Sequence, residues 1–277
     1  MTRLFKYSLI TLLIIINSVL FWYINFRFFV IEEVFIENIA LRKALGDLTI
    51  VHISDLHIGT ITNYENRVLE FTNSLNPDFV FLTGDLIADT SGIDDAIQFV
   101  SRLKPKFVII FVPGNYDHRF AFGNAPEKLF SGLRNAGVVV LRNSSVKIEL
   151  SNGIKPPERI YISGVDDLVS THSDLLLTLS GLEENIPVLL MSHSPKILNR
   201  ALDYDVDCIL SGHTHGGQVY IPYITKRFTK TYYIGSFMKG LHSKGDTDIF
   251  INRGLGTSLV PIRFFSLPQI AVLRFTK

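Results

Sequence analysis

The chain has 277 residues and a net charge of +1, and 47% of its residues are apolar. This length accommodates one large folded domain with an appendage and a sizeable core. The near-neutral charge excludes a chain-wide basic surface for nucleic acid, and the single cysteine excludes an internal disulfide framework. Because that residue, Cys208, lies in an apolar run, we expect a buried small side chain and not a nucleophile.

The N-terminus contains a nearly uninterrupted apolar segment, 7–24. About 20 apolar residues suffice to cross a bilayer as a helix, and Trp22 and Tyr23 stand where interfacial aromatic residues are expected. We predict a retained, single-pass membrane anchor over 1–31, with its span at about 7–26. A cleaved signal peptide is the alternative interpretation, but no small-residue cleavage site follows the apolar segment.

The charges on either side of this segment bear on its orientation. Arg3 and Lys6 precede it, and Arg27 follows it. By this small difference, the positive-inside rule favours a cytoplasmic N-terminus and an extracytoplasmic catalytic domain. An anchor that leaves the catalytic domain on the cytoplasmic side remains open.

After a connector at about 32–46, short apolar runs alternate with amphipathic segments. Strands are predicted at 48–53, 79–82, 107–112, 138–141, 160–162, 188–191 and 208–210. Helices are predicted at 64–75, 94–103 and 126–135. Strands that are apolar throughout and separated by helices are typical of sheets covered on both faces.

From Gln218 onward the sequence changes character. Aromatic residues, Gly and Pro become frequent and the helical periodicity fades, which predicts a second, largely antiparallel sheet. The predicted fold is therefore α/β, with two packed mixed β-sheets flanked by helices and an N-terminal transmembrane helix. The catalytic domain is predicted to span 47–277.

Five short polar patches each follow a predicted strand. They are Asp55-Leu56-His57, Gly84-Asp85, Gly114-Asn115, His193 and Gly212-His213-Thr214-His215. In α/β sheets, ligands bind beyond the carboxyl ends of the strands. Alternate residues of an extended segment face the same way, so the Asp and His of the first patch can share one ion, as can the two His of the last. This set of carboxylates, amide and imidazoles suits two divalent ions such as Mn, Fe, Zn, Co or Ni.

The ordered patches resemble the calcineurin-like metallophosphoesterase family, whose pattern is Asp-x-His, Gly-Asp, Gly-Asn-His-Asp/Glu, His and Gly-His-x-His. The resemblance extends from Leu48 to the C-terminus. Segments 252–257 and 261–265, which read NRGLGT and PIRFF, are similar to the membrane-associated bacterial branch of that family. The resemblance implies a metallophosphoesterase-type sandwich.

The family pattern also implies roles for seven residues. It places Asp55, His57 and His215 on a first metal. It places Asn115, His193 and His213 on a second metal, with Asp85 bridging the two. The reaction it implies is cleavage of a phosphodiester or diphosphate bond, in which a hydroxide between the two metals attacks phosphorus.

The third patch departs from this pattern. The family usually has histidine directly after the asparagine, but Tyr116 stands there, and His118 follows two residues later. Both are candidate catalytic residues. A phenol is a poorer proton donor than an imidazolium near neutral pH. We therefore hypothesise a substrate whose leaving group needs no proton, such as a diphosphate.

A lipid-linked nucleotide pyrophosphatase, such as the UDP-2,3-diacylglucosamine hydrolase of lipid A synthesis, is the alternative function. The aromatic and basic region 220–237 is a candidate for contact with a bilayer or acyl chains, but core residues of the second sheet that alternate with solvated lysines are the favoured explanation. A third alternative is a metal-binding scaffold that has lost catalysis with the missing histidine. The expected partners are a phosphorylated small-molecule or lipid-linked substrate and the membrane. His52 is expected to be structural, whereas His172 and His242 lie in polar loops.

Overall fold

The computed structural model describes residues 7–17, 19, 28–46, 48–119, 124–150, 158–221, 224–225, 237–258 and 261–276. The strands are β1 Val30–Glu37, β2 Ile50–Ile53, β3 Phe79–Thr83, β4 Val108–Val112, β5 Val139–Val140, β6 Ser144–Leu150, β7 Glu158–Gly164, β8 Val188–Met191, β9 Cys208–Ser211, β10 Gly240–Lys244, β11 Thr247–Ile251 and β12 Gln269–Thr276. The helices are α1 Ile39–Leu45, α2 Asn63–Ser74, α3 Ile93–Ser101, α4 Asn115–Arg119, α5 Ala125–Asn135, α6 Leu175–Leu179 and α7 Leu198–Ala201.

These strands form two six-stranded mixed sheets. The first has the order β1-β12-β2-β3-β4-β5, in which β2 to β5 are parallel and β12 is antiparallel to β2. The second has the order β10-β11-β9-β8-β7-β6, in which β7, β8, β9 and β11 are parallel and the two outer strands are antiparallel to their neighbours. The predicted pair of mixed sheets flanked by helices is confirmed.

The alternation of side chains along the central strands builds the layers. In β3, Val80 and Leu82 pack against the helices α2, α3 and α5, whereas Phe79 and Phe81 pack against the second sheet. All four side chains are at most 1% exposed. Because successive residues of a strand face opposite sides, one apolar run supplies both cores. The sheets therefore stack face to face, with helices outside.

The helix α2 shows how local sequence sets an element boundary. The side chain of Thr62 accepts a hydrogen bond from the first turn, and the carboxylate of Glu65 accepts one from the backbone amide of Thr62, which is a capping box. Val68 and Leu69 lie on its buried face. This helix and α3 and α5 lie within two residues of their predicted boundaries.

Two regions differ from the sequence-based expectation. The predicted connector 32–46 is regular structure, because β1 pairs in parallel with β12 along its whole length and α1 packs beside it. The predicted antiparallel sheet after Gln218 is wrong. Among the described residues of this region, β10 and β11 form an antiparallel hairpin, but β11 is parallel to β9, and β12 lies in the first sheet, parallel to β1 and antiparallel to β2. The pairings of β12 with β1 and β2 join segments that are far apart in the sequence, so no local sequence pattern predicts them.

The predicted N-terminal anchor falls partly outside the described residues. Residues 7–17 are helical, with exposed apolar side chains. Residues 18 and 20–26, which complete the predicted span, are not described. Within the residues that are described, no helix is both long enough and apolar enough to cross a membrane.

Candidate metal centre

The polar patches of both sheets meet at one edge of the fold. The amide of Asp55 donates a hydrogen bond to the carbonyl of Gly84 (3.0 Å), and that of Gly212 donates to the carbonyl of His193 (3.0 Å). The amide of His213 donates to both carboxylate oxygens of Asp55, at 3.1 and 3.0 Å. The loops after four strands are therefore tied together, within each sheet by backbone hydrogen bonds and across the two sheets by the carboxylate of Asp55.

A first group of metal-binding side chains consists of Asp55, His57 and His215. Their nearest ligand atoms all lie within 4.8 Å of one another. Nε2 of His57 is 3.2 Å from Nε2 of His215, and the latter atom is 3.4 Å from Oδ1 of Asp55. Two neutral imidazoles can share at most one proton at such a contact, so the arrangement suits a cation between them.

A second group consists of Asp85, His193 and His213, again within 4.8 Å of one another. Nε2 of His193 is 3.3 Å from Oδ2 of Asp85 and 3.1 Å from Nδ1 of His213. Nδ1 of His193 lies 2.7 Å from the carbonyl oxygen of Thr83, to which it donates. Donation from Nδ1 to a carbonyl fixes the ring and directs Nε2 into the group.

The carboxylate of Asp85 lies between the two groups. Its Oδ2 is 3.3 Å from Nε2 of His193 in the second group and 3.6 Å from Nε2 of His57 in the first. Its Oδ1 accepts a hydrogen bond from the amide of Tyr116 (2.8 Å). One oxygen is therefore held by the backbone of α4 while the other faces both groups.

Asn115, the first residue of α4, adds an unpaired oxygen. Its Oδ1 is buried and has no hydrogen-bond partner among the described residues. A buried amide oxygen without a partner is costly, and a cation relieves that cost. This orphaned oxygen and the converging carboxylates and imidazoles fit two divalent ions, which agrees with the donor set expected for Mn, Fe, Zn, Co or Ni.

Five of the predicted ligands have a left-handed backbone conformation. They are Asp55 (φ 51°), His57 (48°), Asp85 (52°), His213 (68°) and His215 (50°). Such values are uncommon for residues other than glycine, and they concentrate where the surrounding structure imposes them. The glycines beside them allow close approach. A Cβ on Gly84 would lie 2.4 Å from the amide nitrogen of Gly114, and one on Gly212 would lie 1.8 Å from Oγ of Ser54.

The protonation states of the site follow from burial and from its carboxylates. Burial lowers the pKa of His57, His213 and His215, which leaves their rings neutral and able to bind a metal. Burial acts against the charge of Asp85, but the neighbouring His193 outweighs it and holds the pKa of Asp85 below its usual value. Burial likewise opposes the charge of His193, yet Asp85 raises the pKa of His193 to about 10.

Asp117 supports the loops that carry the ligands. Its carboxylate accepts hydrogen bonds from the amides of Gly114 (2.9 Å), Asp85 (2.8 Å) and Leu86 (2.9 Å). Burial and the nearby charge of Asp85 raise the pKa of Asp117 to about 7. Sequence reasoning assigned this residue no role, although the family pattern has an acidic residue at this place.

Tyr116 lies beside the first group. Its ring meets the ring of His57 edge to face, with centroids 4.5 Å apart, and the guanidinium of Arg119 lies 5.0 Å above its centroid. The ring is partly exposed. The side chain that replaces the family's usual histidine thus stands at the rim of the metal centre.

His118 faces a different set of partners. Its Nε2 lies 2.6 Å from Oδ1 of Asp166, whose other oxygen accepts from Nε of Arg142 (2.7 Å). Its ring stacks on His172 with centroids 4.3 Å apart, and it meets Phe130 edge to face. His118 is 7% exposed and belongs to neither metal-binding group. Its catalytic role stays a prediction.

Arg263 contacts the metal centre from behind, and sequence reasoning did not assign it a role. It is 1% exposed, and Nη1 donates to the carbonyls of Arg253 (2.8 Å), Ser266 (3.1 Å) and His215 (3.3 Å). Nη2 lies 3.2 Å from Nδ1 of His215 and donates to the carbonyl of Gly256 (2.5 Å). The sequence signal for this role was that Arg263 lies between Ile262 and Phe264, an apolar setting in which a charged side chain is unexpected.

The three remaining histidines differ in how deeply they are buried. His52 is fully buried within β2, and its Nε2 lies 2.8 Å from Oγ1 of Thr83, as expected for a structural residue. His172 is exposed and stacks on His118. His242 stacks on Phe237, 4.1 Å between centroids. None of the three belongs to either metal-binding group of the described residues.

Residues 48–217 match the family profile of the calcineurin-like phosphoesterases. The uncharacterized metallophosphoesterase YkuE of Bacillus subtilis is 34% identical over 246 residues, which cover 86% of this chain and 82% of the relative. YkoQ of the same organism is 30% identical and covers 84% of both chains. A transmembrane protein with metallophosphoesterase domain from Danio rerio is 29% identical and covers 83% of this chain and 53% of its own length.

Among solved structures, the phosphopantetheinyl hydrolase of Mycobacterium tuberculosis aligns with 73% of this chain and 88% of its own, at 16% identity and a TM-score of 0.45. The relatives come from both bacteria and animals, so the bacterial branch stays a prediction. Together with the two groups of metal-binding residues, the profile match and the identity to YkuE place the chain in a family. The chain belongs to the calcineurin-like phosphoesterase family and is a metal-dependent phosphoester hydrolase with a dinuclear metal centre.

Proposed function

We propose that the chain is a membrane-anchored phosphohydrolase that cleaves a phosphodiester or diphosphate bond at this centre. The observation that supports it best is the position of Asp85, whose Oδ2 lies within 3.6 Å of a histidine from each metal-binding group. A carboxylate in that position serves two cations at once. Two adjacent cations are the arrangement that holds both the attacking and the leaving oxygen of a phosphoryl group.

The proposed ligand sets follow the two groups. Asp55, His57 and His215 hold one metal. The second is held by His193, His213 and the unpaired oxygen of Asn115, which is at the amino end of α4. Asp85 is shared by both.

When bound, the two cations neutralise the charge of the phosphate oxygens and lower the pKa of a coordinated water. The protein itself holds the ligands in the orientation and the protonation state that metal binding requires. The amide of Tyr116 orients Asp85, and the carbonyl of Thr83 orients His193. The low pKa of Asp85 keeps its carboxylate charged, while burial keeps His57 and His215 neutral.

Tyr116 is the proposed hydrogen-bond donor at the rim of the site. Its ring contacts His57, so its hydroxyl stays close to the first metal-binding group. Because a phenol protonates a departing alkoxide poorly near neutral pH, the proposed substrates have leaving groups that need no proton. Diphosphates and aryl esters meet that requirement. His118, with Nε2 bonded to Asp166, is a weaker candidate for the same task.

The test is Mn-dependent hydrolysis of an aryl phosphodiester by the full-length chain in detergent. The full chain is required because β1 starts at Val30 and pairs with β12, so a shortened chain risks losing a strand. We expect Asp85→Ala to lower kcat/KM by more than about 100-fold, since even residues that only orient a ligand cost 10- to 100-fold. Asp94→Ala is the control, because Asp94 lies in the first turn of α3 and its exposed carboxylate only pairs with Lys128.

Two outcomes would replace this proposal. No turnover with Mn, Fe, Zn, Co or Ni would favour a metal-binding scaffold, provided that the metals still bind. Faster cleavage of alkyl esters than of diphosphate esters would contradict the proposed leaving group.

A lipid-linked nucleotide diphosphate, such as UDP-2,3-diacylglucosamine, is the second candidate substrate. The exposed apolar side chains of the segment 261–268, next to the site, favour a substrate with acyl chains. The comparison of this compound with UDP-glucose, which has the same diphosphate and no acyl chain, tests the idea. Equal kcat/KM values for both would exclude a role of the acyl chains.

A further inference from the structure

The segment 261–268 has two different faces. Its inward face contains Arg263 and Ser266, both 1% exposed. Arg263 contacts the ring and carbonyl of His215, and Oγ of Ser266 donates to the same carbonyl at 2.8 Å. The exposed side chains of the segment are all apolar, namely Pro261, Ile262, Phe265 and Leu267. The segment is thus attached to a proposed metal ligand on one side and offers only apolar groups to its surroundings on the other.

Phe265 is held outward by a strained backbone. Its φ is 53°, in the left-handed region that bulky residues rarely adopt, and its side chain is 68% exposed. Nζ of Lys239 donates a hydrogen bond to the carbonyl of Phe265 at 2.9 Å, which helps to fix the backbone at this residue. The ring of Phe265 meets that of Phe264 edge to face, with centroids 4.5 Å apart, but most of the side chain remains in solvent and adds little to the core. Such strain is typical of binding segments.

A second segment with exposed apolar residues, 218–221, lies alongside the segment 261–268. The amide of Tyr220 donates to the carbonyl of Phe264, and the amide of Phe264 to the carbonyl of Gln218, both at 2.8 Å. Val219, Ile221 and Ile224, on or next to this second segment, are 38%, 40% and 52% exposed. We call the set of exposed residues the apolar rim. It consists of Val219, Ile221, Ile224, Ile262, Phe265 and Leu267.

The strand β1, which follows the N-terminal apolar segment in the sequence, begins beside the apolar rim. The amide of Val30 donates to the carbonyl of Pro268 at 2.9 Å, one residue beyond the rim residue Leu267. Phe28, two residues before Val30, is 45% exposed. The first strand after the predicted anchor therefore begins on the side of the domain where the rim lies, so a membrane that holds the anchor would be within reach of the rim.

We propose that the apolar rim is a bilayer-contacting surface that inserts Phe265 and its neighbours into the lipid interface and holds the metal centre against the membrane. This inference rests on the proposed membrane anchor. Aromatic and aliphatic side chains beside a lysine are suited to the boundary between headgroups and acyl chains. Because the inward face of the same segment contacts His215, the rim places the site next to the phosphates of membrane amphiphiles.

The first experiment locates position 265 relative to the bilayer. The full-length chain is reconstituted into vesicles with brominated lipids, which quench tryptophan only on contact with acyl chains. The native Trp22, the single tryptophan, reports on the anchor. Phe265→Trp in a Trp22→Phe background reports on the rim, and Phe107→Trp in the same background is the control. Phe107 is 56% exposed but precedes the amino end of β4, at the opposite edge of the sheet from the metal centre.

We expect bromolipids to reduce the emission of tryptophan at position 265 by at least about half, and that at position 107 hardly at all. Quenching of Trp22 without quenching at position 265 would overturn the rim and leave the anchor intact. Quenching at neither position would overturn both. Neither readout depends on catalysis, so a failure of the proposed hydrolytic function would be distinguishable.

The second experiment compares two substrates of the variant Phe265→Asn, in which asparagine tolerates the left-handed backbone. We expect hydrolysis of a diacylglycerol-linked aryl phosphodiester in vesicles to fall about tenfold or more, because a large apolar contact with lipid is lost. Hydrolysis of the water-soluble aryl phosphodiester should be unchanged. Equal effects on both substrates, or a change of the oligomeric state in detergent, would overturn the proposal, the latter in favour of a second copy of the chain as the partner.

Discussion

The guanidinium of Arg263 lies 3.2 Å from Nδ1 of His215, on the side of the ring opposite its metal-binding Nε2. The same guanidinium donates to the carbonyls of Arg253 and Gly256, which are in the loop behind Asp55. A Cβ on Gly254 would lie 2.7 Å from Cβ of Asp55, so this loop packs directly on the first group. The guanidinium also donates to the carbonyl of His215 at 3.3 Å, so Arg263 is a positioning residue that holds the backbone of one ligand and supports the loop behind another.

Loss of this guanidinium should weaken one metal site and spare the other. We expect Arg263→Met to lower the affinity for the first metal by about 10- to 100-fold, the range found for residues that orient ligands. Equilibrium dialysis with Mn would show one weakened site of two, and paramagnetic resonance would show loss of the spin coupling between adjacent Mn ions.

The matched controls separate this role from a general effect on folding. Ser266→Ala removes one hydrogen bond to the His215 carbonyl but leaves all those of Arg263 in place, so both metals should bind. Added guanidinium should restore part of the coupling in Arg263→Gly. Equal weakening of both metal sites would show that Arg263 only stabilises the fold.

The position of Tyr116 at the metal centre leads to a prediction about which leaving groups the enzyme cleaves well. Replacement of Tyr116 by His places an imidazole beside His57, where the present ring lies 4.5 Å away between centroids. Because an imidazolium protonates an alkoxide more readily than a phenol does, Tyr116→His should raise kcat/KM for alkyl phosphodiesters. General acid catalysis contributes about 10²- to 10⁴-fold, so a gain of at least about tenfold is expected.

Aryl phosphodiesters and diphosphates should respond little to the same change, since their leaving groups need no proton. Tyr204→His is the control, because Tyr204 is 36% exposed and follows α7, outside both metal-binding groups. A gain of equal size for aryl and alkyl esters would count against a role of Tyr116 in protonating the leaving group.

The two metal-binding groups show what could be predicted from the sequence. A strand end followed by Gly-Asp or Gly-His is a local signal, and neighbouring parallel strands place such ends at one edge. The expected association of Asp55 with His57 and His215 is the one that the structure has. Their left-handed backbone angles have no such signal, because they are imposed by hydrogen bonds such as that from the amide of Asp55 to Gly84.

Other parts of the fold depend on contacts that a local pattern does not contain. The strand β1 lies largely within the predicted connector, and its partner, β12, lies more than 200 residues later, so no local pattern indicates the pairing. Arg263 acquires its role only where the carbonyls of Arg253 and Gly256 meet it. His118 is one helical turn from Asn115, yet its direction is set by Asp166 in the loop that follows β7 of the other sheet.

The structure predicts that His118 contributes to stability more than to catalysis. It is buried, its Nε2 lies 2.6 Å from Oδ1 of Asp166, and its ring stacks on His172. Replacement by Gln should lower the free energy of unfolding by about 1–3 kcal/mol, because the ring contacts with His172 and Phe130 are lost and the hydrogen bond to Asp166 is weakened. Chemical denaturation measures this loss, and kcat/KM for an aryl phosphodiester should stay within about threefold.

The companion variant is Asp166→Asn, which keeps the shape and removes the charge that Arg142 also contacts. It should be destabilised at least as much as His118→Gln. If His118→Gln instead keeps its stability and loses activity on alkyl esters together with one limb of the pH profile, His118 is the proton donor and Tyr116 is not.

The burial of His52 predicts that the free energy of unfolding decreases at acidic pH. Burial lowers the pKa of His52 to about 3, against 6.5 for the unfolded chain. Between these values the unfolded chain binds a proton that the folded protein does not, so the contribution of His52 to the free energy of unfolding falls as the pH drops from 6.5 towards 3. The slope is at most about 1.4 kcal/mol per pH unit. Above pH 6.5 the residue is neutral in both states and gives no pH dependence.

His52→Gln should reduce that slope while it keeps a polar partner for Thr83. Denaturant unfolding of the metal-free chain between pH 4.5 and 7.5 measures the difference. Thr72→Val is the control, because Thr72 is also fully buried but does not ionise in this pH range. The difference in unfolding free energy between the wild type and His52→Gln should therefore change with pH below 6.5, while that between the wild type and Thr72→Val stays nearly constant. Parallel curves for all three proteins would mean that His52 takes up a proton in the folded state as readily as in the unfolded one.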